Sequence, residues 1–184
     1  MRYTFVILCI ALLTISCSET VARRPVTQKS GSYVKTKTIT RNIERVAQEE
    51  KALKKVIESD TINDYQSSAS GFWYTYVQKD TLSKPTPQVG DLVLFNYNIA
   101  AINGKVLVSQ EEIGNTVTQI DQSNQDLISG IREGIKLMKE GETVTFLFPS
   151  HKAYGYYGVE NRVPSNTPVR STVTLLEIKN QSND

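Results

Sequence analysis

Side chains able to do nucleophilic, acid–base or metal chemistry are sparse in this chain of 184 residues, which holds one histidine, His151, and two cysteines. By itself a lone histidine supports neither zinc ligation nor a Ser/His triad, and His151 reads as a solvated loop residue. The densest pattern is apolar instead: LISGIREGIKLMKEGETVTFLFP, followed within a few residues by AYG and then by VPSNTP. From Leu127 to Pro168 it describes one short helix, one strand and one gated apolar pocket. Tyr154 lies between Ala153 and Gly155, in a turn, where a tyrosine seldom serves as core; its ring and hydroxyl are expected to face the pocket. Such a place does non-covalent chemistry, through shape, dryness and a hydrogen-bonding hydroxyl.

Several elements must position it. Leu127, Ile128, Ile131, Ile135 and Met138 recur at three- and four-residue spacing, which predicts a helix over 126–139 with one apolar stripe. Gly130 and Gly134 remove side-chain bulk four residues apart, so this helix can lie flat on a sheet. Gly141 is expected to end it as a left-handed C-cap, and Thr143 to Phe148 then alternates as a strand. Upstream, SGFWYTYV is a β-rich run that opens the domain at Ser70 and Gly71, followed by a connector with Pro85, Pro87 and Gly90. Asp91 to Ala101 places Val93, Phe95, Tyr97 and Ile99 on one face, so Tyr97 is a core-side tyrosine. Asn103 and Gly104 are the strongest hairpin signal, with Lys105 to Val108 returning as a strand and Thr172 to Ile178 closing the domain. Glu111 to Ser123 is polar and carries no assignable pattern.

The N-terminal part has a different character. Arg2 followed by uncharged, mostly apolar Tyr3 to Ile15 is a signal-peptide pattern over 1–16, and it ends in LTISC. That ending resembles a bacterial lipoprotein cleavage box, with Thr14 where such boxes usually have Leu; it implies cleavage before Cys17 and lipid on its thiol and amine. Cys9 leaves with the signal, so no disulfide is expected. Residues 17–40 are rich in Ser, Thr and Lys and read as a disordered tether, with an r.m.s. span on the order of 25 Å. Its basic residues suit either contact with anionic headgroups or plain solubility. Ser18, in place of an Asp after the anchor, favours the outer membrane, facing the periplasm or the cell exterior.

A helix is expected from Arg41 to Ser59, with Ile43, Val46, Ala47, Leu53, Val56 and Ile57 on one side and Glu50 interrupting. It is open to three uses: a homodimer contact, packing on its own domain, or a solvated helix. Residues 41–69 are thus helix and linker, 70–179 the main domain and 180–184 a tail. An apolar fraction of 39% suffices for a compact core, and a formal net charge of +2 argues against a nucleic-acid binder, which needs a concentrated basic face.

GDLVLFNY, NGK, the IxGxxEGIxxMxxGE string, AYG and VPxN, in this order and spacing, resemble an FKBP-type peptidyl-prolyl cis-trans isomerase over about Ser70 to Lys179. Within that family the N-terminal helix, the WYTY strand and REGIKLMKEGETVTFLFPSHKAYGY are similar to the gliding-motility-associated (GldI-type) isomerase lipoproteins. The resemblance implies an α+β fold, an FKBP-like curved antiparallel sheet of about five strands wrapped over one short helix. It implies a pocket walled by Tyr97, Leu107, Leu127 and Ile128, floored by Ile131 and flanked by Tyr154 and Val163. The backbone N–H of Ile128 and the Tyr154 hydroxyl would hold carbonyls beside the substrate proline. No cofactor or metal is implied; the expected partners are proline-containing polypeptide clients and, through the lipid, a membrane. The chain departs from the family where Phe-Asp is frequent (here Leu107 and Val108), where the floor is often Trp (here Ile131), and near the last strand, where Ser171 replaces an aromatic. Tyr156 or Tyr157 is expected to supply the missing ring. These departures keep a second expectation open, a weakly active or inactive binding or chaperone module, and a third, a purely structural lipoprotein.

Overall fold

A computed structural model describes residues 31–82, 84–121 and 127–179. The expected signal peptide 1–16, the Cys17 anchor, the first part of the tether and the 180–184 tail lie outside the described residues. The chain divides into two compact units, Met1–Thr38 and Ile39–Asp184; of the first, only the opening of helix α1 is described.

Helix α1 spans Gly31–Ser59, so it begins well before Arg41 and takes in the last part of the expected tether. Nucleation is the costly step, and each further turn adds hydrogen bonds to a helix already formed. Its later turns pack on their own domain, for Glu49 and Leu53 are buried, whereas Ile39, Ile43 and Val46 on the earlier turns are exposed.

The strands are β1 (Gln66–Ser67), β2 (Trp73–Gln78), β3 (Leu92–Tyr97), β4 (Ile99–Ala101), β5 (Val106–Val108), β6 (Thr116–Gln119), β7 (Thr143–Phe148) and β8 (Val169–Lys179). They form one antiparallel sheet in the order β1-β2-β7-β8-β3-β6, with the β4–β5 hairpin paired onto β8. The described residues hold eight strands, the expected five or so supplemented by short ones that come from breaks and edges. The expected strand from Asp91 to Ala101 breaks at Asn98, whose side-chain oxygen accepts the Thr172 N–H at 2.9 Å and whose carbonyl accepts the Ser171 hydroxyl at 2.7 Å. The polar stretch after Glu111 resolves into helix α2 (Gln110–Ile113), capped by the Ser109 hydroxyl accepting from the Glu112 N–H, and the edge strand β6 paired with β3. A capping serine satisfies an N–H that the first helical turn cannot.

Helix α3 is shorter than its apolar spacing suggests, running Ser129–Ile135. Leu127 and Ile128 lead into it, and Met138 follows it in the turns before β7. Gly141 has φ +88°, the left-handed value expected, yet it shapes the turn into β7 and donates its N–H to the Leu175 carbonyl; it does not cap α3. The two helical glycines serve close approach. A Cβ on Gly130 would stand 2.5 Å from Phe148 Cδ1, and one on Gly134 would stand 2.8 Å from Phe146 Cε1. The helix backbone therefore rests on two phenyl rings, stacked with centroids 5.4 Å apart, against which Phe72 packs edge-on. Ile131, Ile135 and Met138 have no exposed surface there, each burial stabilising by about 1.5–3 kcal/mol.

Candidate functional site

The seven residues singled out in sequence come from four places in the chain, and each belongs to the hydrophobic core or packs against it. Strand β3 supplies Tyr97, opposite Val173 of β8, its ring stacked on Phe95 with centroids 5.7 Å apart. The β4–β5 hairpin, turned by Gly104 at φ +89°, supplies Leu107. Leu127 and Ile128 are half-buried at the entry to α3, and Ile131, one turn on, is wholly buried beneath them. Ile128 is the N-cap residue; its carbonyl accepts the Arg132 N–H at 3.2 Å, and no acceptor for its own N–H occurs among the described residues. That is the expected state of a helix entry, whose first donors have no partner within the helix.

The loop after β7 supplies Tyr154 and Val163. A 3-10 turn, Ser150–Lys152, leads into it, and the Ser150 carbonyl accepts the N–H groups of Ala153 at 3.0 Å and Gly155 at 2.8 Å, one on each side of Tyr154. The Tyr154 carbonyl accepts the Gly158 N–H at 3.1 Å, and Gly155 accepts from Asn166 at 2.7 Å. Val159 and Val163 exchange both backbone hydrogen bonds, at 2.7 and 2.9 Å. Only glycine fits at 158, since a Cβ would come within 2.3 Å of the Val163 carbonyl oxygen. Val163 is thereby pressed into the core, while Arg162 beside it pairs with Glu112 of α2 across the surface.

Burial pushes the Tyr154 phenol up to about 12, with the nearby Tyr97 adding to the shift, and burial also raises Tyr97. Taking a phenol out of water disfavours its anion, so both rings stay neutral and can donate hydrogen bonds at any physiological pH. No side-chain hydrogen bond engages either hydroxyl among the described residues. The seven thus comprise five aliphatic side chains and two neutral phenols, with no charged group among them.

At the departures from the family pattern, Val108 is half-buried opposite Ile99, and Ile131 is wholly buried in the core. Ser171 is wholly buried in the inward row Val169, Ser171, Val173, Leu175, and its hydroxyl is engaged by Asn98. The expectation that Tyr156 or Tyr157 replaces the missing ring is not met: they are 72% and 90% exposed and pack edge-on against each other. They stand at the tip of the turn that the Gly158 N–H closes on the Tyr154 carbonyl, where the chain runs over the surface. His151 is exposed, as expected. Sequence reasoning missed Glu49, a buried carboxylate hydrogen-bonded to Ser150, because nothing local in either segment points to the other.

The sequence pattern of the FKBP-type peptidyl-prolyl cis-trans isomerase family matches residues 83–176. Human peptidyl-prolyl cis-trans isomerase FKBP9 is 32% identical over 89 residues, 48% of this chain and 15% of that protein. The probable FKBP-type isomerase FkpA of Neisseria meningitidis is 32% identical over 114 residues, 61% of this chain and 40% of that protein. The chain therefore spans less than half the length of these curated relatives. The crystal structure of FkpA from Escherichia coli superposes with a TM-score of 0.58 at 21% identity, covering 97% of this chain and 83% of that one, a likeness of fold.

Proposed function

The chain belongs to the FKBP-type peptidyl-prolyl cis-trans isomerase family, and from that premise we propose that it catalyses rotation about X-Pro bonds, as a folding catalyst for exported polypeptides. An X-Pro bond turns over a barrier of about 18–20 kcal/mol because rotation breaks amide resonance. The twisted amide is less polar than either planar form, so an apolar, water-poor site stabilises it more than the ground state. Leu107, Leu127, Ile128 and Val163 surround the proline ring over Ile131, Tyr97 lines the site with its ring edge, and the Ile128 N–H and Tyr154 hydroxyl hold the flanking carbonyls while the amide turns. A combined gain of about 4 kcal/mol raises the rate roughly a thousandfold, with no covalent step. The observation that carries this reading is the half-buried Tyr154 phenol, kept neutral beside Tyr97 at the edge of an aliphatic cluster.

NMR exchange spectroscopy on an X-Pro peptide tests it. Faster cis/trans exchange with the full chain, lost in Ile128→Asp and weakened about tenfold in Tyr154→Phe, is the expected result. A folded chain that binds the peptide without speeding exchange would replace the isomerase with a binding or chaperone module, the reading favoured by Leu107, Val108 and the engaged Ser171 hydroxyl.

The finer parts of the proposal rest on the sequence resemblances: clients within a gliding-motility machinery, a lipid on Cys17, and an outer-membrane location facing the periplasm or the cell exterior. Mass spectrometry of the membrane fraction tests the lipid, which adds acyl mass to the peptide beginning at Cys17. A homodimer through α1 is supported by the exposed row Ile39, Ile43 and Val46, and light scattering of the full chain tests it.

A further inference from the structure

Glu49 is a carboxylate 7% exposed, carried by α1 and separated by 101 residues from the group it binds. A buried carboxylate needs hydrogen bonds to both oxygens, and Ser150 supplies them. Its N–H donates to Oε2 at 2.9 Å and its hydroxyl donates to Oε1 at 2.8 Å. Arg45, one turn earlier on the helix, stands 3.7 Å from Oε1, and Leu53, one turn later, is wholly buried and anchors the same face. Charge-assisted bonds of this length are short and directional, so Ser150 is held in both place and orientation.

Ser150 is also the residue whose carbonyl accepts from Ala153 and Gly155, the two amides that bracket Tyr154. Its donors face the helix, and its acceptor faces the site. Among the described residues the turn has two other side-chain ties, the Ser129 hydroxyl donating to the Lys152 carbonyl at 3.3 Å and Lys152 paired with Glu133 at 3.0 Å; both reach α3. We propose that Glu49 is a positioning residue of the isomerase site, setting the place of Tyr154 through Ser150, so that α1 is a working part of the catalytic unit. The inference rests on the isomerase reading above.

Glu49→Leu removes both acceptors at similar volume. Glu49→Gln keeps the connection without the charge, since its oxygen accepts from the Ser150 N–H and its amide donates to the hydroxyl. The measurement is kcat/KM on an X-Pro peptide, at a temperature where circular dichroism shows each variant fully folded. Glu49→Leu is expected to lose about tenfold in the wild-type background but less than about twofold in a Tyr154→Phe background, because a displaced ring without its hydroxyl has little left to lose. Glu49→Gln is expected to stay within about threefold of wild type. Equal losses in the two backgrounds, or a lower Tm with kcat/KM unchanged, would overturn the proposal. Should Glu49→Leu fail to fold, Ser150→Ala, which removes one of the two bonds, takes its place with the same dependence on background. Should the wild type fail to speed exchange, the isomerase reading falls by itself. The positioning is then decided by the amide resonances of Ala153 and Gly155: it stands if Glu49→Leu moves them and fails if they stay in place.

Discussion

Beneath helix α3, Gly130 and Gly134 let the backbone meet Phe148 and Phe146, and Ile131, Ile135 and Met138 are sealed from water. Across the site, backbone hydrogen bonds within residues 150–166 hold the loop that carries Tyr154 and Val163, with Tyr154 half-buried and Tyr156 and Tyr157 in solvent. The floor is held by apolar burial, which has no direction and tolerates no void. The rim is held by directional bonds, each replaceable singly. Damage to the floor should therefore appear as lost stability, and damage to the rim as lost rate in a folded protein.

Ile131→Ala tests the floor most severely. It is expected to cost about 3 kcal/mol by urea unfolding, since a rigid aromatic bed cannot collapse into the void; a loss under about 1 kcal/mol would show that the floor is soft. Gly130→Ala should cost about 2 kcal/mol in the same measurement, because Phe148 is fixed between Phe72 and Phe146 and cannot yield. If it instead stabilises, as helix propensity alone would have it, the close approach is not a constraint.

Tyr154→Phe should reverse the balance, with kcat/KM down about tenfold, roughly 1.4 kcal/mol of transition-state stabilisation, and an unfolding midpoint nearly unchanged. A fall in stability of the same size would mean that the hydroxyl serves the fold. The raised phenol gives this residue a signature in pH. Its folded value of about 12 lies above its ordinary 10.0, so unfolded chains release the proton first. Its contribution is intact below pH 10 and is lost as pH climbs from there through about 12; Tyr154→Phe should flatten the stability curve across that window. The smallest effect belongs to Arg162→Ala, which breaks the exposed pair with Glu112. Stability should change by less than about 0.5 kcal/mol and added salt should hide the difference, so a larger change would make the pair a true latch on the loop.

Much of the fold was legible because the relevant signals are local. Alternation over Thr143 to Phe148 marks β7 to the residue, Asn103-Gly104 turns the β4–β5 hairpin, and glycines four apart announce a helix pressed against something flat. The ends of elements were less legible. Apolar spacing continues through Leu127, Ile128 and Met138 because all three pack on the core, yet only Ser129–Ile135 is helical, and burial leaves the same trace in sequence whether or not the backbone stays helical. The edge strand β6 has few apolar residues because its outer side meets water, so its strand character comes from pairing with β3.

The sequence by itself determined the chemical class of the candidate site: aliphatic residues and two tyrosines beside glycine turns, with no nucleophile among the seven, since residue type needs no folding to be known. It also determined which stretches are amphipathic, because periodicity is a property of a few neighbouring residues. Only the tertiary structure decided that Tyr97 and Tyr154 share one desolvated flank, that Ser171 turns its hydroxyl to Asn98, and that Glu49 reaches Ser150. Those contacts join residues tens of positions apart, and their existence depends on how whole elements cross, which no local pattern encodes.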